Sequence, residues 1–408
     1  MTPPPSVGVA SGGAAMVPKP SGRPLWARWS SELYRPYTVG LEEEVMLLDQ
    51  SSWALAQSGD RALSRLSDQL FAHAAPETHA CVIELVTGIH ADVDSAVAEL
   101  GSLRHRLRNV LAEMGLAAAA AGMHPLVVGD ETRLSDAPRY RRIADSMRML
   151  VRREPTMAMH VHIGIPDPDD AVRVLDGLRR CVPVLLALSS NSPFWRGRDA
   201  GFASSRTLVF GAFPRTGLPG SFDRYADYVA TVDALLLSDA VPDPNSVWWD
   251  VRLQPRLGTV EVRVMDAQST VREAAPLVAL VQSLARIELE GDDAAVTPGP
   301  EVLDENRFLA ARDGMAARLL DPTAQGCLIP VREMLDALLA ECRPHALALG
   351  CLDSLERVPR LAAANGADRQ RAWVRVGASL EQVVERLAER FLAPDWPSRT
   401  HARAREPI

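Results

Sequence analysis

The chain has 408 residues, 47% hydrophobic and 24% charged, with a formal net charge of −8 at pH 7. That is the composition of a globular protein with one large domain or two ordinary ones, and the negative balance argues against a general nucleic-acid binder. Five scattered cysteines (Cys81, Cys181, Cys327, Cys342 and Cys351), none in a CxxC pair, read as free thiols and exclude a disulfide frame or a zinc site.

Residues 1–24, rich in Pro, Gly, Ser and Ala, read as a disordered leader without the charged start and apolar core of a signal peptide. Lys19, in this leader, is the only lysine of the chain. A P-loop and a pyridoxal Schiff base both need a lysine amine, so neither is expected. Any phosphate must be held by Arg, a metal or the backbone.

A strand is predicted over 36–48 ("YTVGLEEEVMLLD" lies across it) and another over 78–88, "THACVIELVTG". The Leu, Ala and Val spacing of "SAVAELGSLRHRLRNVLAEMG" predicts a long amphipathic helix ending at Gly115. "LAAAAAGMHPLVV" reads as a buried strand; it is the longest apolar run and His124 and Pro125 break it, so no membrane span and a cytoplasmic protein are expected. A helix around "RYRRIADSMRMLVRR" leads into the alternating strand "TMAMHVHIGIPD". "DPDDAVRVLDGLRRCVPVLLALSS" begins with capping aspartates and continues as a helix. "NSPFWRGRDAGFASSR" is a polar loop too long for a mere connector. After it come the strand "GTVEVRVMDAQ", the helix "REAAPLVALVQSLARIELE", a break at "GDDAAVTPGP" and a mostly helical stretch from Leu303 to Leu392. The mixture lacks a regular β-α-β rhythm and predicts an α+β fold, helices on one face of a mostly antiparallel sheet.

Four strands share one habit. Side chains two apart share a face, so Glu42 and Glu44 point one way while Leu41, Glu43 and Val45 point the other. His160 and His162 oppose Met159, Val161 and Ile163; Glu261 and Arg263 oppose Val260, Val262 and Val264; Glu84 is the one charge in "CVIELV". If the four strands lie in one sheet, their polar faces form a floor of carboxylates, imidazoles and a guanidinium. Such a cluster repels itself unless cations bind or carboxylates protonate. Hard cations such as Mg²⁺ or Mn²⁺ take oxygen ligands and bridge carboxylates to nucleotide phosphates. Barrel-type zinc hydrolases and cupins are disfavoured, because only His345 and His401 follow His162 and no lysine does.

The segments "GLEEEV", "ETHACVIELVTG", "GMHP", "HVHIGIPD", "NSPFWRGRDAGFASSR", "WWDVRLQPRLGTVEVRVMD" and "ENRFLAARDG", in this order from about Tyr37 to Asp313, resemble the glutamate–cysteine ligase type 2 family of carboxylate–amine ligases. The resemblance implies a glutamine-synthetase-like funnel of antiparallel strands that holds metal ions and ATP. It makes Glu42, Glu44, Glu77, Glu84, His160 and Glu261 the metal-facing residues, with His160, Arg263 and His162 toward phosphate. Arg263 would neutralise the transferred phosphoryl group and Arg206 would clamp the substrate carboxylate. The implied reaction is ATP-dependent formation of an acyl phosphate that an amine converts to an amide, with γ-glutamylcysteine synthesis as the reference activity. A non-catalytic descendant that binds nucleotide or amino acid is the alternative. Members usually have Gly, Thr and Thr where this chain has Ala158, Met123 and Ala200, so altered substrate preference is expected. Residues 25–393 are expected to form one catalytic domain, helical from about 303, followed by a tail at 394–408. The C-terminal helices would cover the funnel or make a homodimer contact. Trp248 and Trp249 are expected to be packing residues. The partners are small-molecule substrates, not nucleic acid or membrane.

Overall fold

Seven strands make the central sheet. A computed structural model describes residues 23–30, 35–129, 132–238, 240–291, 297–321 and 327–391. The expected leader, apart from residues 23 and 24, and the expected tail lie outside the described residues.

The sheet strands are β1 (Val39–Asp49), β2 (Ala74–Pro76), β3 (Val82–Val86), β4 (Leu116–Ala119), β5 (Met159–Gly164), β6 (Val251–Gln254) and β7 (Thr259–Val262). Their order is β6-β7-β5-β1-β3-β2, and β4 pairs with the far end of β1. Every pairing is antiparallel. At eleven residues β1 is long enough to pair with β5 over its first half and β4 over its last, while β3 runs along its middle.

Three long helices pack on one face of the sheet: α1 (Val93–Ala112), α3 (Pro168–Ser189) and α5 (Val271–Glu290). Each starts where the sequence supplies a cap. The Asp92 carboxylate accepts from Ser95 N at 2.8 Å, Asp167 accepts from Asp169 N and Asp170 N, and Thr270 and Glu273 form a capping box. Their apolar stripes, such as Leu100, Leu103, Leu107 and Leu111 of α1, bury against Leu41, Val45, Val161 and Val262. The numbering between them includes the shorter α2 (Pro138–Met147) and α4 (Ser205–Phe210).

The α+β expectation is met, with some shifts at the ends. The helix expected over "RYRRIADSMRMLVRR" stops at Met147 and tightens to a 3-10 turn over Arg148–Arg152, because Arg148 takes φ +55°. The loop ending "FASSR" closes into α4, so Arg206 stands in a helical turn capped by Ser204. The C-terminal part is helical, with α6 (Val331–Leu349) on α5 and α7 (Leu380–Phe391) on β4. It also contains a small hairpin of Arg318–Leu320 with Leu328–Pro330 that the periodicity did not signal. No helix among the described residues is long and apolar enough to cross a membrane.

Glu43 explains the third glutamate of "GLEEEV". It points to the helix side and is fully buried, where the Arg104 guanidinium of α1 meets it: Arg104 Nε donates to Glu43 Oε2 at 2.7 Å and Nη2 to Oε1. Arg104 also donates to the Gln268 and Ser269 carbonyls and lies 4.6 Å from the centre of the Phe391 ring.

Candidate functional site

The register turns four separate strands into one acid row. Residues directly opposite each other in adjacent strands share a face. Glu42 pairs with His160, Glu44 with Glu84, Glu261 with His162, and Arg252 with Glu261. All therefore stand on the face away from the helices. The expected convergence of Glu42, Glu84 and Glu261 is present in the sheet.

Among the described residues, two groups of side chains bring ligand atoms within 4.8 Å of one another: Glu42, His162 and Glu261, and Glu42, Glu84 and His160. Glu42 belongs to both. Its Oε2 lies 3.0 Å from His160 Nδ1 and its Oε1 lies 3.3 Å from His162 Nε2. His162 Nδ1 is engaged by Thr259 Oγ1 at 3.0 Å. The Nε2 atoms of His160 and His162 are buried without hydrogen-bond partners. Unpartnered imidazole nitrogens set among carboxylate oxygens are a donor set that fits a divalent ion such as Mg²⁺ or Mn²⁺. Glu44 and Glu77 lie outside these two groups. Glu44 accepts from Ala158 N at 2.6 Å, Glu77 accepts from Thr78 N at 3.1 Å, and both line the cleft above the row.

Arginines border the row. Glu261 is fully buried and takes Arg252 Nε at 2.6 Å, Gln254 Nε2 at 2.9 Å and Arg263 Nη1. Arg206 Nη1 and Nη2 donate to the Val264 and Arg263 carbonyls at 3.0 and 3.1 Å, and its buried Nε has no partner. That geometry fixes Arg206 as a rigid donor at the cleft wall rather than a free fork.

The electrostatics divide the acids. Burial alone would raise Glu42, but the neighbouring His162 imidazole and the hydrogen bond from His160 hold it well below the usual carboxylate range. Arg252 and Arg263 likewise overcome burial at Glu261 and keep it low. Burial and Glu77 push Glu44 up to about 8, burial raises Glu77, and burial with Glu42, Glu77 and Glu44 holds Glu84 well above its ordinary value. Burial and Arg263 push His160 down to about 4, whereas at His162 burial is outweighed by Glu42 and Glu261, which raise it. Without a cation, then, part of the cluster holds protons at neutral pH. A divalent ion held by Glu84 would displace its proton, so the affinity is expected to rise with pH, with proton release on binding. Titration calorimetry with Mg²⁺ in two buffers of different ionisation enthalpy measures that release; pH-independent binding would contradict it.

Two cavities adjoin the row, one lined by His160 and the other by its strand neighbours Glu42 and His162. One is the cleft lined by Glu44, Glu77, His160, Arg206 and Arg263, whose outer wall is Ile143, Val151, Phe210, Phe213 and Trp248. The other is more apolar and is lined by Gly40, Thr87, Ile89, Leu257 and Thr259 together with Glu42 and His162.

Several site residues escaped the pattern. Arg252 and Gln254 sit on β6, where "DVRLQ" shows only a mixed strand, and their role appears when β6 pairs with β7. Glu154 is buried and lines the cleft, its Oε1 held by Arg196 Nε at the tip of a hairpin. Trp248 packs, as expected, against the small apolar cluster of Tyr140, Ile143, Met147 and Val151 and also lines the cleft, while Trp249 packs against Phe222 and Tyr228. Met123 and Ala158 are buried, and neither they nor Ala200 line the cleft.

The sequence profile of the Glutamate-cysteine ligase family 2 matches residues 38–390. A protein of Rubrobacter xylanophilus provisionally named glutamate–cysteine ligase 2-1 is 36% identical over 355 residues, covering 86% of this chain and 94% of that protein. One of Thermobifida fusca, provisionally named glutamate–cysteine ligase 2, is 36% identical over 364 residues, covering 87% and 91%. Among solved structures, the glutamate–cysteine ligase of Francisella tularensis in complex with AMP superposes with a TM-score of 0.66 at 13% identity, covering 89% of this chain and 91% of that one. A bifunctional glutathione synthetase of Pasteurella multocida gives 0.64 at 14% identity, covering 88% of this chain and 52% of that one. At these identities the two structures show a shared fold.

Proposed function

The chain belongs to the glutamate–cysteine ligase family 2, and from that membership together with the acid row we propose that it is an ATP-dependent carboxylate–amine ligase. The observation that carries the reading is the register itself. It aligns Glu42, Glu84, Glu261, His160 and His162 on one sheet face, with imidazole nitrogens left unpartnered among them.

Glu42, Glu84 and His160, and Glu42, His162 and Glu261, are the residues that would hold divalent ions. When bound, such ions supply charge neutralisation for phosphate oxygens, the main requirement of phosphoryl transfer. The apolar cavity beside Gly40, Ile89 and Leu257 suits the base and ribose of ATP, which places the phosphates over Glu42 and His162. The carboxylate substrate then lies in the cleft. There Arg263, fixed by Glu261, neutralises the phosphoryl oxygens, and Arg206 offers its Nε to the substrate carboxylate. Buried arginines held by backbone carbonyls, as Arg206 is, or by a carboxylate, as Arg263 is, need no reorganisation during the reaction, and they serve where no lysine stands among the described residues. An acyl phosphate formed there, with ADP released, faces the cleft, and the amine attacks its carbonyl carbon from that side, displacing inorganic phosphate as the amide forms and the amine gives up a proton.

Purified protein with ATP, Mg²⁺, glutamate and cysteine is expected to release ADP, and hydroxylamine in place of the amine is expected to trap a hydroxamate. Absence of ADP over a broad panel of carboxylates and amines would favour a non-catalytic binder of nucleotide or amino acid.

A further inference from the structure

The cleft has two unlike walls. The sheet side is ionic: Glu44, Glu77, His160, Arg206 and Arg263. The outer side is aromatic. The rings of Phe210 and Trp248 lie 6.2 Å apart, Phe213 and Trp248 5.9 Å at an interplanar angle of 89°, and Phe210 and Phe213 6.0 Å. All three are half-buried and face the cavity.

This wall is not a fringe of the main core. Phe213 and Trp248 pack against a separate apolar cluster of Tyr140, Ile143, Met147 and Val151. Arg206 closes the corner between the two walls, its guanidinium 5.5 Å from the centre of the Phe210 ring. The three rings are thus braced from behind and from the side, and what they leave open is aromatic surface turned to the cavity. Wet aromatic surface in a concave site is unfavourable, and a ligand ring that covers it recovers both burial and edge-to-face contact. A small side chain, such as the single CH₂–SH of cysteine, covers little of three rings.

We infer, on the ligase reading above, that the amine substrate carries a bulky apolar side chain, preferably aromatic, received by Phe210, Phe213 and Trp248. The acyl group is confined to the ionic wall by Arg206 and Arg263, so the aromatic wall is left to the attacking amine.

The test compares kcat/KM, read as ADP release at fixed glutamate and ATP, for glycine, cysteine, leucine, phenylalanine and phenethylamine. The aromatic amines are expected to exceed glycine and cysteine by about 10- to 100-fold, the discrimination that one apolar pocket provides. In Trp248→Ala the phenylalanine-to-glycine ratio is expected to fall about tenfold or more, and Trp248→Phe restores most of it. A ratio is unmoved by partial loss of active protein. ADP release with cysteine or glycine as good as with the aromatic amines overturns the inference and leaves the ligase reading standing. Absence of ADP with every amine, also when other carboxylates replace glutamate, fails the ligase reading instead. Calorimetric binding of phenethylamine then decides: binding that Trp248→Ala weakens about tenfold supports the aromatic site, and no binding overturns it.

Discussion

Replacing Glu261 with glutamine is expected to lower ADP release at least about a thousandfold while the protein stays folded. The carboxylate is fully buried, and it anchors Arg252, Arg263 and Gln254 while facing His162. Glutamine keeps the volume and can still accept from Arg252, so the strand pairing survives. What is lost is the charge, and it is lost twice over. The proposed ion site gives up one anionic ligand, and Arg263 gives up the partner that aims it. Two guanidinium groups left with less countercharge cost about 3 kcal/mol, within the stability reserve of an ordinary domain. A lower Tm with a cooperative transition, together with the loss of ADP release, is the expected pair of results. Undiminished ADP release would remove Glu261 from the site.

Arg104→Leu is expected to destabilise the protein by about 3–5 kcal/mol, because it leaves the Glu43 carboxylate buried on the helix side without its counter-ion. The arginine is 1% exposed and Glu43 0%. Bulk solvent does not reach this depth to replace the lost donors, and the Gln268 and Ser269 carbonyls lose theirs as well. The double variant Glu43→Leu, Arg104→Leu removes the orphaned charge and is expected to recover much of the loss, since an apolar pair of similar volume is often as stable as a buried ion pair. Urea unfolding midpoints measure both. A single variant as stable as the parent would show that Arg104 does not balance Glu43. Because Glu43 lies between Glu42 and Glu44, the same pair holds β1 in the register that turns those two acids to the face away from the helices.

The β1 segment shows how far a linear reading reaches. Alternation alone separates Glu43 from Glu42 and Glu44, because successive side chains in a strand point to opposite faces. The same rule identifies the paired imidazoles of β5 and the Glu261–Arg263 pair. It does not name the group that neutralises Glu43, since Arg104 lies sixty-one residues away on a helix whose pattern marks it as one of many polar positions. Arg252 is missed for a related reason. Only the β6–β7 register sets it opposite Glu261. Trp248 and Trp249 are adjacent in sequence, and only the short bridge of Thr216–Gly217 with Trp248–Trp249 sends one to the cleft and the other to the core.

By itself the amino-acid sequence determined which face of each strand carries charge, where the capped helices begin, that no lysine serves the chemistry, and to which family the ordered motifs point. These are properties of neighbours along the chain. The tertiary structure alone decided which strands adjoin, which acids consequently share a cation-sized space, which arginines oppose them, and what lines the far wall of the cleft. Those depend on pairings between segments tens to hundreds of residues apart, where long-range packing and the burial of countercharge, not local periodicity, set the free energy.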